Sequence, residues 1–185
     1  MQGYNAKDLA RSFRTVRNNT IQIAEEIPEE QYGFRPAEGT RTVAETLAHL
    51  ATATAWPQEF HGERRTQTEF SWFMGAMQKA GEESAKLTTK ASLVEALRKN
   101  GEEFAAWMEP LSDDVLGELV QYPADMQPPQ KTRFEMLLGV KEHEMHHRAQ
   151  LMTIERMLGI TPHLTRATQE RMAQMQQQGA GTASR

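Results

Sequence analysis

The sequence predicts an all-α protein: a four-helix bundle with long inter-helix loops and a short C-terminal helix. Three observations carry that prediction. Four segments place apolar residues at alternating spacings of three and four, which gathers them on one stripe of a helix. Three of these segments open on a Ser/Thr-x-x-Glu capping signature. No stretch alternates apolar and polar residues with period two for long enough to read as a strand.

The first segment carries Leu9, Phe13, Val16, Thr20, Ile23 and Ile27 on its stripe, with Asn5 as N-cap, Asp8 in the first turn and Pro28 as its stop. Residues 28–41 hold two prolines and two glycines and read as a loop. Thr42 and Glu45 open a second helix whose stripe is Val43, Leu47, Leu50 and Thr54 and which runs to about Phe60. Residues 62–89 are ambiguous; Phe70, Trp72, Phe73, Met74 and Met77 suit a turn or two of helix over one end of the bundle. Ser92 and Glu95 open a third helix with Val94, Leu97, Gly101, Phe104, Met108 and Leu111 inward. A Pro-rich loop follows around Pro123 to Gln130. Thr132 and Glu135 then open a fourth helix that ends near Leu158 at Gly159, and Thr161-Pro162 suits the N-cap and first turn of a fifth. Residues 1–165 are expected to form the bundle, and 166–185 a helix end and flexible tail.

Bulk properties narrow the function. With 185 residues, one domain with a real core is expected. The formal charge is −4 with no Lys/Arg stripe, which argues against a nucleic-acid partner. No apolar run approaches the ~20 residues of a membrane span, and the N-terminal segment reads as a helix start rather than a signal peptide. The absence of cysteine excludes a disulfide framework, a thiolate nucleophile and a Cys-based metal site, and fits a cytoplasmic location. A metal would have to be held by His, Asp or Glu.

The informative segment is KEHEMHHRAQL, residues 141–151. On the fourth helix the inward stripe reads Met136, Val140, His143, His147, Gln150 or Leu151, Ile154 and Leu158. A single histidine on an apolar stripe is usually a core residue satisfied by hydrogen bonds. Two of them one turn apart leave four ring nitrogens in need of partners, and each unsatisfied one costs about 1–3 kcal/mol. An i, i+4 pair projects from one face at a separation from which two imidazoles converge on one ion, so metal binding is the better reading. His49, one residue off the Leu50 position on the second helix, is the candidate third ligand. His146 points away from the pair, while His61 and His163 sit near helix ends, where a solvated role is expected.

His143 to His147 also spell H-E-x-x-H, the zinc-protease motif in which the Glu acts as general base. The extended form fails because its third-histidine position is Thr153. Glu155 and Glu170 are weak substitutes, and no strand is present to align a peptide. Glu144 is therefore expected to be a solvated surface carboxylate.

The run IPEEQYGFRPAEGTRTVAETLAHLA (27–51), followed by HEMHHRAQL (143–151), resembles the DinB family of DinB/YfiT-like metalloenzymes. The matching features are Arg35-Pro36, Val43-Ala44-Glu45, His49-Leu50 and the His-x-x-His-His-Arg cluster, with Ala149 where a Gly is frequent. The resemblance covers the first, second and fourth helices. It implies a bound divalent transition metal, zinc or nickel, on His49, His143 and His147. It also implies a small-molecule substrate, a low-molecular-weight thiol as cosubstrate in S-transfer, and a homodimer. Metal-dependent hydrolysis is the alternative chemistry, and a metal-stabilised binding or dimerisation module in a stress response is the non-enzymatic one. Glu45 is a candidate to orient the imidazoles, although its capping box competes for it. Arg148 is a candidate for an anionic substrate group, against a surface salt bridge, and Trp56, Trp72 and Trp107 are candidates to line a pocket but are read first as core.

Overall fold

The structure, a computed structural model, describes residues 3–182. Helix α1 (Ala6–Glu26) starts at the predicted Asn5 cap, which forms a capping box with Asp8, and stops at Ile27 ahead of Pro28. A 3₁₀ turn (Glu29–Gln31) leads into the loop, and Tyr32 Oη donates to the Ala24 carbonyl at 2.6 Å, pinning the loop to α1. Helix α2 (Val43–Thr52) opens on the Thr42–Glu45 box. It does not run on to Phe60. The chain breaks at Ala53–Thr54 and resumes as α3 (Ala55–Gly62). Pro57 explains the break, because it lacks the N–H that the Ala53 carbonyl would need and its ring crowds that carbonyl. The carbonyls left over at the end of α2 are taken by neighbours: Arg17 donates to Leu50 O at 3.0 Å and Asn100 to Ala51 O at 2.8 Å.

The ambiguous segment contains α4 (Phe70–Ser84), a helix without a buried residue that packs on α2 and α3. Helix α5 (Lys90–Met108) begins one turn earlier than the sequence suggests. Thr89 is the cap and Ser92 fills the third helical position, so the predicted Ser92–Glu95 box is not used. After α6 (Asp113–Gly117), β1 (Leu119–Gln121) pairs antiparallel with β2 (Gln130–Thr132), with Val120 opposite Lys131. Three-residue strands are too short to show a period-two pattern, which is why none was legible. Helix α7 (Arg133–Met157) has the expected Thr132–Glu135 box and ends at Leu158 before Gly159, whose φ of +78° suits glycine. Helix α8 (His163–Thr182) is longer than the short helix expected and crosses the 165/166 division. Residues 183–185 of the expected tail lie outside the described residues.

Helices α1, α2, α5 and α7 form the bundle. α1 packs against α5 and α7, and α2 against the same two, so the first two helices in sequence face each other across the diagonal. The segment containing α3–α4 links the neighbours α2 and α5, and the segment containing α6–β2 crosses the other diagonal, from α5 to α7. The apolar interior is divided in two. One cluster centres on Ile23, Leu47, Leu50, Leu97 and Leu151, the other on Leu9, Phe13, Phe104 and Leu137. Between them lies a charged layer. Arg17 of α1 and Glu144 of α7 are each 2 % exposed. Arg17 Nε and Nη2 donate to the two carboxylate oxygens of Glu144 at 2.8 and 2.7 Å, and Nη1 donates to Leu97 O at 3.0 Å. With its bond to Leu50 O, this one side chain touches all four bundle helices. Among the described residues, no helix is long and apolar enough to cross a membrane.

Candidate metal centre

The stripe that α7 buries is Leu137, Val140, Glu144, His147, Leu151 and Ile154, so the helix is rotated by part of a turn from the sequence reading. Met136 and His143 lie half-buried on its flank, facing α2. There His143 meets His49. Their Nε2 atoms are 3.0 Å apart, and the ring centroids of His49, His143 and His147 stand 4.7–4.9 Å from one another. One ring nitrogen from each lies within 4.8 Å of the other two. Two nitrogens at the usual 2.0–2.1 Å from a tetrahedral ion stand about 3.3 Å apart, so the His49–His143 spacing fits a shared ion with a shift of a few tenths of an ångström.

The protonation states fit as well. Burial pushes His49 and His143 down to about 4, with the nearby Arg41 guanidinium and the neighbouring imidazoles acting in the same direction. Burial also lowers His147, opposed by its hydrogen bond to Gln150. All three rings are therefore neutral near pH 7, with lone pairs free to bind a cation. Gln150 Oε1 lies 2.7 Å from His147 Nδ1. Because a carbonyl oxygen only accepts, Nδ1 carries the proton and Nε2 is left as the donor atom toward the site. The Gln150 amide nitrogen is 3.1 Å from His146 Nε2, so His146 is exposed yet linked to the centre through Gln150.

The triad sits in the partition between two cavities of about 810 Å³ each. His49 and His143 line the first, together with an apolar wall of Trp56, Phe73, Met77 and Met136 and a polar side of Tyr122 and Lys131. His146 and His147 line the second, and Arg41 and Glu45 border both. Trp56 and Phe73 meet edge to face at 5.6 Å, which makes α4 one side of the cleft. Trp72 packs on Phe60 beneath Arg65, and Trp107 stacks on Phe104.

Other expectations change. Glu144 is a buried partner of Arg17, not a surface carboxylate, and with both oxygens engaged it is no general base. The protease reading of H-E-x-x-H ends there. Glu45 serves the α2 capping box and pairs with Arg35. His61 is buried rather than solvated, with Nδ1 3.0 Å from Arg133 Nη1, and burial pushes it to about 4. His163 is buried too, 3.2 Å from Asn19 Oδ1. Glu155 is fully buried with neither oxygen partnered and lies toward Glu26 and Arg166, away from the triad. Among the described residues Arg148 makes no surface salt bridge; its Nε is buried without a partner there, and its charge acts on His163. Besides Gln150, the residue at the triad that the sequence does not single out is Arg41. It sits in the turn-rich loop before the Thr42 cap, where nothing in one sequence separates it from any other surface arginine.

The comparisons agree with this architecture. The DinB superfamily pattern matches residues 12–151. Among solved structures, a DinB-like protein of Bacillus subtilis, YjoA, superposes with a TM-score of 0.61 at 24% identity, covering 83% of this chain and 92% of its own. Bacillus subtilis YfiT, described as a probable metal-dependent hydrolase with an unusual four-helix bundle topology, superposes with a TM-score of 0.66 at 16% identity over 87% of this chain and 91% of its own. No curated protein matches the chain in sequence. With three quarters of its length under the family pattern and the same bundle, the chain belongs to the DinB superfamily.

Proposed function

We propose that this protein is a metal-dependent enzyme acting on a small molecule. In this reading His49, His143 and His147 hold one divalent transition metal, zinc or nickel, and a low-molecular-weight thiol serves as cosubstrate for S-transfer. The observation that carries it is the convergence of three neutral imidazoles at the wall of a large half-apolar cleft. A divalent ion held by three neutral ligands keeps its full charge and lowers the pKa of a ligated thiol or water toward neutrality.

The side chains around the cleft favour the thiol. Glu45 and Glu135 line it, but each is held in a helix-capping box, and Glu144 is turned into the core. Among the described residues, no cleft carboxylate is free to act as general base. A thiol has an ordinary pKa of about 8.5, so it ionises beside a cation with little help, whereas water starts far higher. Trp56, Phe73 and Met77 offer an apolar surface for the body of an electrophile and exclude water from it. Hydrolysis is the second reading, favoured by the fold shared with YfiT.

The test begins with elemental analysis of protein purified without a metal-affinity column, for wild type and His147→Ala. One equivalent of zinc or nickel in the wild type, lost in the variant, is expected. The loaded protein is then screened with small thiols and electrophiles, and separately with ester and amide substrates. Wild type that is metal-free and takes up neither ion refutes the reading. Turnover of the esters or amides without thiol moves it to hydrolysis.

A further inference from the structure

We infer that Arg41 selects the substrate: the cleft takes a small amphipathic carboxylate, its apolar body against Trp56, Phe73 and Met77 and its carboxylate on the Arg41 guanidinium. This rests on the metal reading of the three histidines and adds to it a class of ligand.

Four observations converge on Arg41. It borders both cavities, and so stands at the point where they meet the triad. His49 and His143 line the first of these cavities and His147 the second, so Arg41 shares a cavity wall with each member of the triad. It is exposed and has no hydrogen bond, ion pair or ring contact among the described residues, whereas Arg35 in the same loop is held by Glu45 and the Thr40 carbonyl. Finally, an unpaired guanidinium next to three cation-binding imidazoles works against metal binding. A purely structural site would be better without it. An anion that bridges the two positive centres removes the conflict.

The donor set points to a carboxylate. A single guanidinium offers two parallel N–H donors that match its two oxygens. A phosphate asks for more, most often free backbone N–H groups at a helix N-terminus. The nearest such end, that of α2, is already closed by the reciprocal Thr42–Glu45 bonds at 3.1 and 2.7 Å. Lys131 also lines the cleft, but it lies over the Tyr122 ring and near Glu135, so its charge is already partly answered.

The experiment compares two probes, 2-mercapto-3-phenylpropanoate and its primary amide, which share the thiol and the phenyl group and differ in charge. Zinc stoichiometry is measured first on wild type and Arg41→Gln, then probe binding by calorimetry on the zinc-loaded proteins. The acid is expected to bind wild type at least tenfold more tightly than the amide, and that preference to vanish in Arg41→Gln, with zinc held as well or better. An acid no tighter than the amide in loaded wild type overturns the role of Arg41, as does a preference that survives in Arg41→Gln. Failure of wild type to load zinc at all overturns the metal centre, and this inference with it.

Discussion

Replacing Arg17 by Met is the sharpest test of how the bundle is held. The structure allows the cost to be worked through. The change removes two charge-assisted bonds to Glu144, at 2.7 and 2.8 Å, and two bonds to helix carbonyls at 3.0 Å. The carboxylate then remains at 2 % exposure without a partner. Breaking one side of a buried pair costs about 3–5 kcal/mol. For a chain of this size that corresponds to a fall in Tm of roughly 6–20 °C. The double variant Arg17→Met/Glu144→Leu has no stranded charge. Its main residual cost is the Leu50 carbonyl, left without the side chain that serves it beyond the end of α2 and worth about 1–3 kcal/mol. The double variant should therefore be more stable than Arg17→Met alone. Urea unfolding followed by far-UV circular dichroism, with chelator present so that metal linkage is excluded, measures wild type, the single variants Arg17→Met and Glu144→Leu, and the double variant. A cost below about 1 kcal/mol for Arg17→Met, or a double variant that equals the sum of the singles, would refute the claim that this pair is a buried, mutually dependent unit.

Three further outcomes follow from the same geometry. Gly101→Ala should destabilise by about 1–3 kcal/mol, although Ala normally gains about 1 kcal/mol over Gly inside a helix. Its Cβ would stand 2.7 Å from Arg17 Cγ and 3.2 Å from Cδ, on a side chain too well bonded to move, and a more stable variant in urea melts would show that Arg17 is free to shift. Gln150→Ala removes the acceptor that fixes the His147 tautomer and should weaken zinc binding by about 10–100-fold in chelator competition; unchanged affinity would mean the amide is a bystander. Glu155, fully buried and beside Glu26, is pushed up to about 7 by burial first and then by that neighbour. Because the folded state holds this proton more tightly, the contribution is complete below about 4.5 and is lost as pH rises to about 7. Glu155→Gln should flatten that part of the stability–pH curve and stabilise the protein at pH 8 by on the order of 1–3 kcal/mol, and an unaltered curve would place the proton elsewhere.

The helices were legible because their signals are local. Asn5, Thr42 and Thr132 cap where the sequence places them, and Gly159 closes α7, since each acts within a few residues of itself. Ser92 shows the limit of such reading. Two overlapping candidates, Thr89–Ser92 and Ser92–Glu95, have the same spacing, and the helix starts at the first of them. Pro57 is a break signal carried by the sequence itself, and the helix expected to run to about Phe60 is interrupted just before it, at Ala53–Thr54. The convergence of His49, His143 and His147 was legible because an i, i+4 pair is a helical fact and one further histidine lay one residue off the inward stripe of another helix. Arg41 and Gln150 were not legible as site residues. One sits on a loop, and the other acts through a tautomer, which only the assembled geometry assigns.

Glu144 is where hydropathy misled, and the reason bears on chemistry. Taking His143 as the origin, Glu144 lies about 100° round the helix and His147 about 40°. A stripe centred between the two histidines puts Glu144 toward solvent, whereas one centred between His147 and Glu144 puts it in the core and leaves His143 on the flank. Apolarity favours the first choice, and the fold takes the second because Arg17 comes from α1 to meet the carboxylate. That rotation does two things at once. It turns His143 out of the core toward His49, and it removes from the site the carboxylate that a zinc protease would use as base. Because Arg17 also bonds the carbonyl of Leu50, the residue after His49, the same layer holds α2 and α7 at positions one residue from His49 and His143. The five residues His143 to His147 thus spell a hydrolytic motif, while their partner on α1 makes them two members of the histidine triad and a brace.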